Sequence, residues 1–206
     1  MSDSVRKSFD TIAEQYLVKF ADELGRKPAD QELLSAFATR VGDGRVLDIG
    51  CGPGQVGDFV AALGPGVTGV DFSLDMLRHG KKAFPRLGFV CADMRRLPFA
   101  DASVDGIVAF YSLIFGPLDD AAAGLREFRR VSKRGAPMIV AVHGGEGSDH
   151  FQDFDGTAID VTIHWRDPDL LAKAAEEAGY TVERVTVREP YPDEHPTRRV
   201  YIQATA

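Results

Sequence analysis

Short apolar runs alternate with longer amphipathic stretches along most of the chain. The runs Arg45–Ile49, Val67–Val70, Leu87–Cys91, Val104–Phe110 and Ala136–Val142 are rich in Val, Ile, Leu and Phe and are bounded by Gly, Pro or Asp. Each has the length and composition of a strand buried on both faces. Between them, Gln55–Leu63, Ser73–Ala83 and Asp119–Val131 carry apolar residues at helical spacing. This alternation predicts right-handed βαβ crossovers and a parallel sheet with helices on both sides.

The two ends depart from that pattern. Residues 4–20 and 30–41 read as amphipathic helices, with Val5, Phe9, Ile12, Tyr16 and Phe20 three or four apart. Gly144–Gly156 is rich in Gly, Asp and His and reads as a loop. Asp167 then caps a helix that has Pro168 in its first turn and Gly179 after its end. Tyr180–Arg188 and Val200–Ala204 alternate as two further strands, joined by the charged connection Glu189–Arg199. With no internal repeat or interdomain linker, one domain over residues 1–206 is expected.

Composition narrows the function classes. Hydrophobic residues make up 44% and charged residues 27%, enough apolar content for a packed core. The formal charge of −7 argues against a nucleic-acid partner held by bulk electrostatics. No apolar run is long enough for a transmembrane helix, and MSDSVRKSFD does not resemble a secretory leader. Cys51 and Cys91 offer neither a disulfide framework nor a C-x-x-C metal spacing. A cytoplasmic chain without membrane attachment is the expectation, as monomer or homodimer. His143, His150, Asp153, Asp155 and His164 match no compact metal signature, so no metal is expected.

Val46-Leu47-Asp48-Ile49-Gly50-Cys51-Gly52-Pro53-Gly54 is the richest segment. A strand runs into three glycines and then a helix, which forms a ligand cradle at the carboxyl end of a parallel strand. The chain has no Gly-Lys-Ser/Thr, which excludes a P-loop. A dinucleotide fingerprint needs glycine where Gln55 stands, and Asp48 is a poor neighbour for pyrophosphate but suits a cation or an ammonium.

These residues resemble the first motif of the class I S-adenosylmethionine-dependent methyltransferases. The resemblance continues through Val67-Thr68-Gly69-Val70-Asp71-Phe72-Ser73, Cys91-Ala92-Asp93-Met94, Leu97-Pro98-Phe99, Ser103-Val104-Asp105 and Leu125–Val131 with Gly135. The later segments are similar to the small-molecule subgroup, except that Lys133-Arg134-Gly135-Ala136 stands where that subgroup has Pro-Gly-Gly. The resemblance implies a Rossmann-like, doubly wound α/β fold. Its sheet would be seven-stranded and mostly parallel with an antiparallel last strand, under an N-terminal helical lid. Residues 1–42 would form the lid and 43–206 the core, with acceptor-site insertions at 143–165 and 189–199.

It also implies S-adenosyl-L-methionine as cofactor and methyl transfer to a small-molecule acceptor. Tyr16, Asp48, Gly50, Cys51, Gly52, Gly54, Gln55, Asp71, Phe72, Ser73, Met76, Ala92, Asp93, Met94, Phe110 and Tyr111 are the expected cofactor residues. Asp71 would accept from the ribose hydroxyls and Asp93 from the adenine amino group, with Phe72 and Met76 as apolar faces. Asp71 also reads as a helix cap, although Ser73 is the better one, and Asp93 as a turn residue.

The acceptor belongs at the same sheet edge. Tyr16, Phe20, Ser112, His143, His164, Tyr191, Arg198 and Arg199 are the expected substrate contacts. Tyr111 and His143 are the expected catalytic residues, His143 because an unperturbed imidazole accepts a proton near neutral pH. Competing readings make Tyr16 a core aromatic, His143 a structural histidine, and the two arginines partners of Asp193 and Glu194. The helix over 4–20 is expected to cover the sheet edge and to order when cofactor binds. A non-catalytic cofactor-binding protein and a nicotinamide-dependent oxidoreductase are the alternative functions.

Overall fold

A computed structural model describes residues 2–206. Helix α1 (Asp3–Phe20), a single 3-10 turn (Glu23–Arg26) and α2 (Pro28–Val41) precede β1 (Arg45–Ile49). The chain continues through α3 (Gln55–Ala61), β2 (Gly66–Asp71), α4 (Leu74–Ala83), β3 (Gly88–Cys91), β4 (Gly106–Phe110), α5 (Leu118–Val131) and β5 (Pro137–Gly144). After β6 (Ser148–Phe154) and β7 (Thr157–His164) come α6 (Pro168–Glu177), β8 (Thr181–Arg188) and β9 (Arg198–Thr205). Sequence-derived ends differ from these by a few residues, and Val104 lies outside β4, bridging Ser132.

Seven strands form one sheet in the order β3-β2-β1-β4-β5-β9-β8. The pairs from β3 to β5 are parallel, and β9 runs antiparallel to both of its neighbours. This is the Rossmann-like fold of the class I methyltransferases. Alternation along the strands divides the core. Ile49, Ile107 and Val140 pack with Leu125 and Phe128 of α5. Val46, Val108 and Ile139 pack with Leu34 and Phe37 of α2 and Val60 of α3. Helix starts follow local chemistry: Ser73 accepts from Met76 N–H at 3.2 Å, and Asp167 accepts from Asp169 and Leu170 N–H ahead of Pro168.

The expected loop Gly144–Gly156 is instead half of a hairpin, β6–β7, which forms a separate two-stranded sheet. Asp155 and Gly156 make its turn at φ 49° and 85°, the left-handed pair that suits the right-handed twist of a hairpin. The hairpin and α1 are stitched together. Ser8 Oγ accepts from Asp160 N–H at 2.9 Å, Lys19 Nζ meets Asp155 at 2.8 Å, and the Phe154 ring stacks on Tyr16 at 6.1 Å. Helix α1 also reaches α4, where Asp10 accepts from Ser73 Oγ at 2.6 Å and Ile12 packs on Met76.

Candidate active site

Strand order reverses between β1 and β4, and open parallel sheets bind ligands in the crevice at such a point. A cleft opens there, lined by the β1–α3 loop, the ends of β2 and β4, and residues of α1. Its floor is the β1–α3 loop, where Gly50, Gly52 and Gly54 all take positive φ. A Cβ at Gly50 would lie 2.2 Å from Ser112 Cβ, so only glycine allows the loop this close to β4. A Cβ at Gly52 would face the cleft itself, with Tyr16 the nearest side chain at 3.7 Å.

Asp71 clamps this loop. One carboxylate oxygen accepts from Gly52 N–H at 2.9 Å and the other from Ser73 N–H at 2.8 Å. Burial pushes its pKa up to about 6 against the pull of these two N–H groups. Asp48, on the buried end of β1, rises to about 7 because it is desolvated, helped by the charge on Asp71. Burial raises the Tyr16 phenol as well, reinforced by Glu23 and Asp71. Burial is the largest cause of all three shifts, and among the described residues no cation lines the cavity.

Most of the expected cofactor residues meet here. Tyr16, Asp48, Gly50, Cys51, Gly52, Gln55, Asp71, Phe72, Met76, Met94, Phe110 and Tyr111 line the cleft, together with Ser112. Ala92 and Asp93 line a side recess that shares Gly50, Asp71, Phe72 and Met94. The Asp93 carboxylate is in addition paired with Arg95 at 2.7 Å, which lowers its pKa. Gly54 starts α3 from behind the cleft, and Ser73 is buried as the cap of α4.

Of the expected substrate-side and catalytic residues, Tyr16, Tyr111 and Ser112 line the cleft and the others lie elsewhere. His143 does not line the cleft. It stands behind Tyr111, ring centroids 5.1 Å apart, with Nδ1 on Thr197 Oγ1 at 2.7 Å. Burial, with Arg199 beside it, lowers its pKa to about 3, so it is neutral and weakly basic at neutral pH. Arg199 is buried and occupied by the carbonyls of His195 and Thr197, while Arg198 is exposed. Tyr191 packs against Arg188, and its hydroxyl accepts from Ala29 N–H at 3.3 Å. His164 lies in a separate cleft with Ser4 and Thr162, and Phe20 covers Tyr16 from outside at 4.5 Å.

Four lining residues escaped the sequence-derived set: Phe9, Glu23, Val56 and Phe115. Phe9 shares the α1 face of Tyr16 and was readable from helical spacing. Glu23, on an isolated 3-10 turn, carried no such signal. Tyr111 is unusual in a second way, because it holds φ +54° without being glycine. Its N–H donates to Ala141 O at 2.7 Å, and its buried hydroxyl has no partner among the described residues.

A family model described as a methyltransferase domain matches residues 46–135. A demethylmenaquinone methyltransferase of Beutenbergia cavernae is 36% identical over 141 residues, covering 68% of this chain and 55% of that protein. The ubiquinone/menaquinone biosynthesis C-methyltransferase UbiE of Desulfotalea psychrophila is also 36% identical, over 66% of this chain and 56% of its own length. The chain thus spans little more than half the length of these curated relatives. Among solved structures, a DhpI–SAH complex superposes with TM-score 0.74 at 20% identity, covering 99% of this chain and 98% of the other. A SAM-dependent methyltransferase from Methanosarcina mazei gives 0.72 at 21% identity, over 79% and 92%.

Proposed function

We propose that this chain, which belongs to the class I S-adenosylmethionine-dependent methyltransferase family, moves a methyl group to a small-molecule acceptor. One observation carries this reading: a glycine loop clamped by Asp71 under a cleft whose charged lining groups, among the described residues, are all carboxylates. The cofactor fits those residues. Gly52 leaves open the space a bound ligand needs, and buried Asp48 and Gln55 oxygens lack partners. S-adenosylmethionine supplies a methyl on a sulfonium, a group already activated for in-line displacement.

The chain's own residues then bind, orient and exclude water. Asp71 keeps lone pairs beyond its two backbone bonds, enough to accept from ribose hydroxyls. Phe72, Met76 and Met94 supply apolar faces for adenine, with Ala92 and Asp93 at its edge. Tyr111, which holds a positive φ and lines the cleft with Phe115 and Phe9, borders the acceptor. His143 holds Tyr111 from behind. Because the imidazole is already neutral and hydrogen-bonded, it is a positioning residue. Helix α1 and the β6–β7 hairpin close the cleft against water, since alignment and dehydration are most of what such a transfer requires. In domain terms, α1 is the lid, while α2, packed on the sheet through Leu34 and Phe37, belongs with 43–206 to the core.

The names of the relatives favour catalysis over silent cofactor binding and make demethylmenaquinone the first acceptor to assay. No described helix is long and apolar enough to cross a membrane. The charge of −7 argues against a nucleic-acid partner held by bulk electrostatics. Calorimetry should show S-adenosylmethionine and S-adenosylhomocysteine binding at micromolar affinity or better, and an acceptor panel should yield S-adenosylhomocysteine. No heat and no thermal shift with either ligand refutes the reading.

A further inference from the structure

Among the described residues, three charged side chains line the cleft, and Glu23 alone comes from outside the sheet. It sits on the 3-10 turn that joins α1 to α2, with its side chain 15% exposed. Its Oε2 accepts from Lys27 Nζ at 2.8 Å, which holds the carboxylate in place, and its Oε1 accepts from Gln55 Nε2 at 3.2 Å. With its nitrogen turned to Glu23, the Gln55 amide leaves its oxygen buried without a partner. Gln55 is itself 8% exposed and lines the cleft beside Asp48. This corner therefore offers three acceptor groups, two of them carboxyl groups, and among the described residues its one cation, Lys27, stands outside the lining.

A primary ammonium has the opposite inventory, three N–H donors and no acceptor. A sulfonium has the charge but no donor and would leave these oxygens unpaired. Resting on the cofactor reading above, we propose that Glu23 is a specificity-determining residue that receives, with Gln55 and Asp48, the α-ammonium of the cofactor's amino-acid end. Its place on the turn gives the contact a second effect. Binding the ammonium ties the connection between α1 and α2 to the ligand.

The test compares three ligands by calorimetry on the full chain: S-adenosylmethionine, S-adenosylhomocysteine and 5′-methylthioadenosine, which keeps the adenosine and the sulfur but lacks the amino acid. Glu23→Gln should weaken the first two about tenfold or more, the scale of a charge-assisted hydrogen bond, and leave the third unchanged. Glu23→Asp should recover part of the loss. Unchanged affinity for S-adenosylhomocysteine overturns the proposal. So does a loss confined to S-adenosylmethionine, which would assign Glu23 to the sulfonium, and so does an equal loss for 5′-methylthioadenosine, which would mean general damage to the cleft. A parent chain that binds none of the three overturns the cofactor reading itself and this inference with it.

Discussion

Two regions of this molecule bury charge, and they treat it in opposite ways. In the cleft, Asp48 and Asp71 sit without a cationic neighbour, and burial holds their pKa values up at about 7 and 6. Behind Tyr111, on the far side of β4 and β5, Glu194 is met by Arg188 at 2.6 Å, with Lys27 and Arg199 each at 3.6 Å. Burial alone would raise Glu194, but the hydrogen bonds from Arg188 bring it down to about 2. Arg188 further donates to Tyr201, whose hydroxyl bonds to buried Asp30. The second region meets Glu194 with cations and so is structural. The first answers Glu23 with Lys27 but leaves Asp48 and Asp71 without a countercation, which is the condition of a site awaiting a ligand.

Breaking the paired region should have the largest effect. Glu194→Gln strands two guanidinium groups in the interior and should destabilise the fold by about 3–5 kcal/mol, the usual penalty for opening a buried pair. Chemical denaturation measures it, and cofactor affinity of the folded fraction should hold. Asp71→Ala should do the reverse. It should weaken cofactor binding by about 2–4 kcal/mol, through lost charge-assisted bonds and a loosened glycine loop, while the fold persists. Calorimetry finding parental affinity would reduce Asp71 to a clamp for the loop and a cap near Ser73.

The pH dependence of stability should separate the regions by sign. Folding raises the Asp48 pKa from 3.8 to about 7, so the native state binds its proton more tightly than the unfolded chain. Stability from this group is complete below pH 3.8 and drains away as pH climbs toward 7. Asp48→Asn should therefore be more stable than the parent at pH 8, by about 2 kcal/mol, with no gain at low pH. Glu194 behaves oppositely, its stabilisation being present above 4.5 and lost as pH falls toward about 2. Thermal melts across pH would show both limbs. The smallest effect is expected from His143. Its ring signals should not titrate between about pH 5 and 8, and His143→Gln should change kcat/KM within about threefold. A titration near 6.5 would restore it as a proton acceptor.

What the sequence disclosed about this contrast depended on the distance between the cooperating residues. Gly50, Gly52, Gly54 and Asp71 act through strand, turn and strand end, all encoded within one βαβ unit, and their placement was readable. The Asp155-Gly156 pair was an equally local signal for a hairpin turn, but the surrounding His, Asp and Gly masked it. Arg199 and His143 were recognised as chemistry, yet their surroundings come from Glu194, Thr197 and Arg188, brought in by β8 and β9. Burial among distant partners cannot be deduced from residue type. Glu23 is the extreme case, since its position depends on a four-residue turn with no periodicity at all.

The insertion of β9 between β5 and β8 has a consequence for how the molecule is built. Strand β8 touches no other strand, so it has nothing to pair with until β9, which follows it in the chain, has taken its place. Folding therefore cannot proceed strand by strand in the order of synthesis across this third of the sheet. The β8–β9 pair must form first and dock against β5 as a unit, or β9 must zip onto β5 and recruit β8 afterwards. Either route delays a long-range pairing, the kind of step that slows folding and leaves open strand edges exposed in the meantime. Arg188, Glu194 and Arg199 lie on or between those two strands, so the interior ion cluster cannot assemble before that late docking.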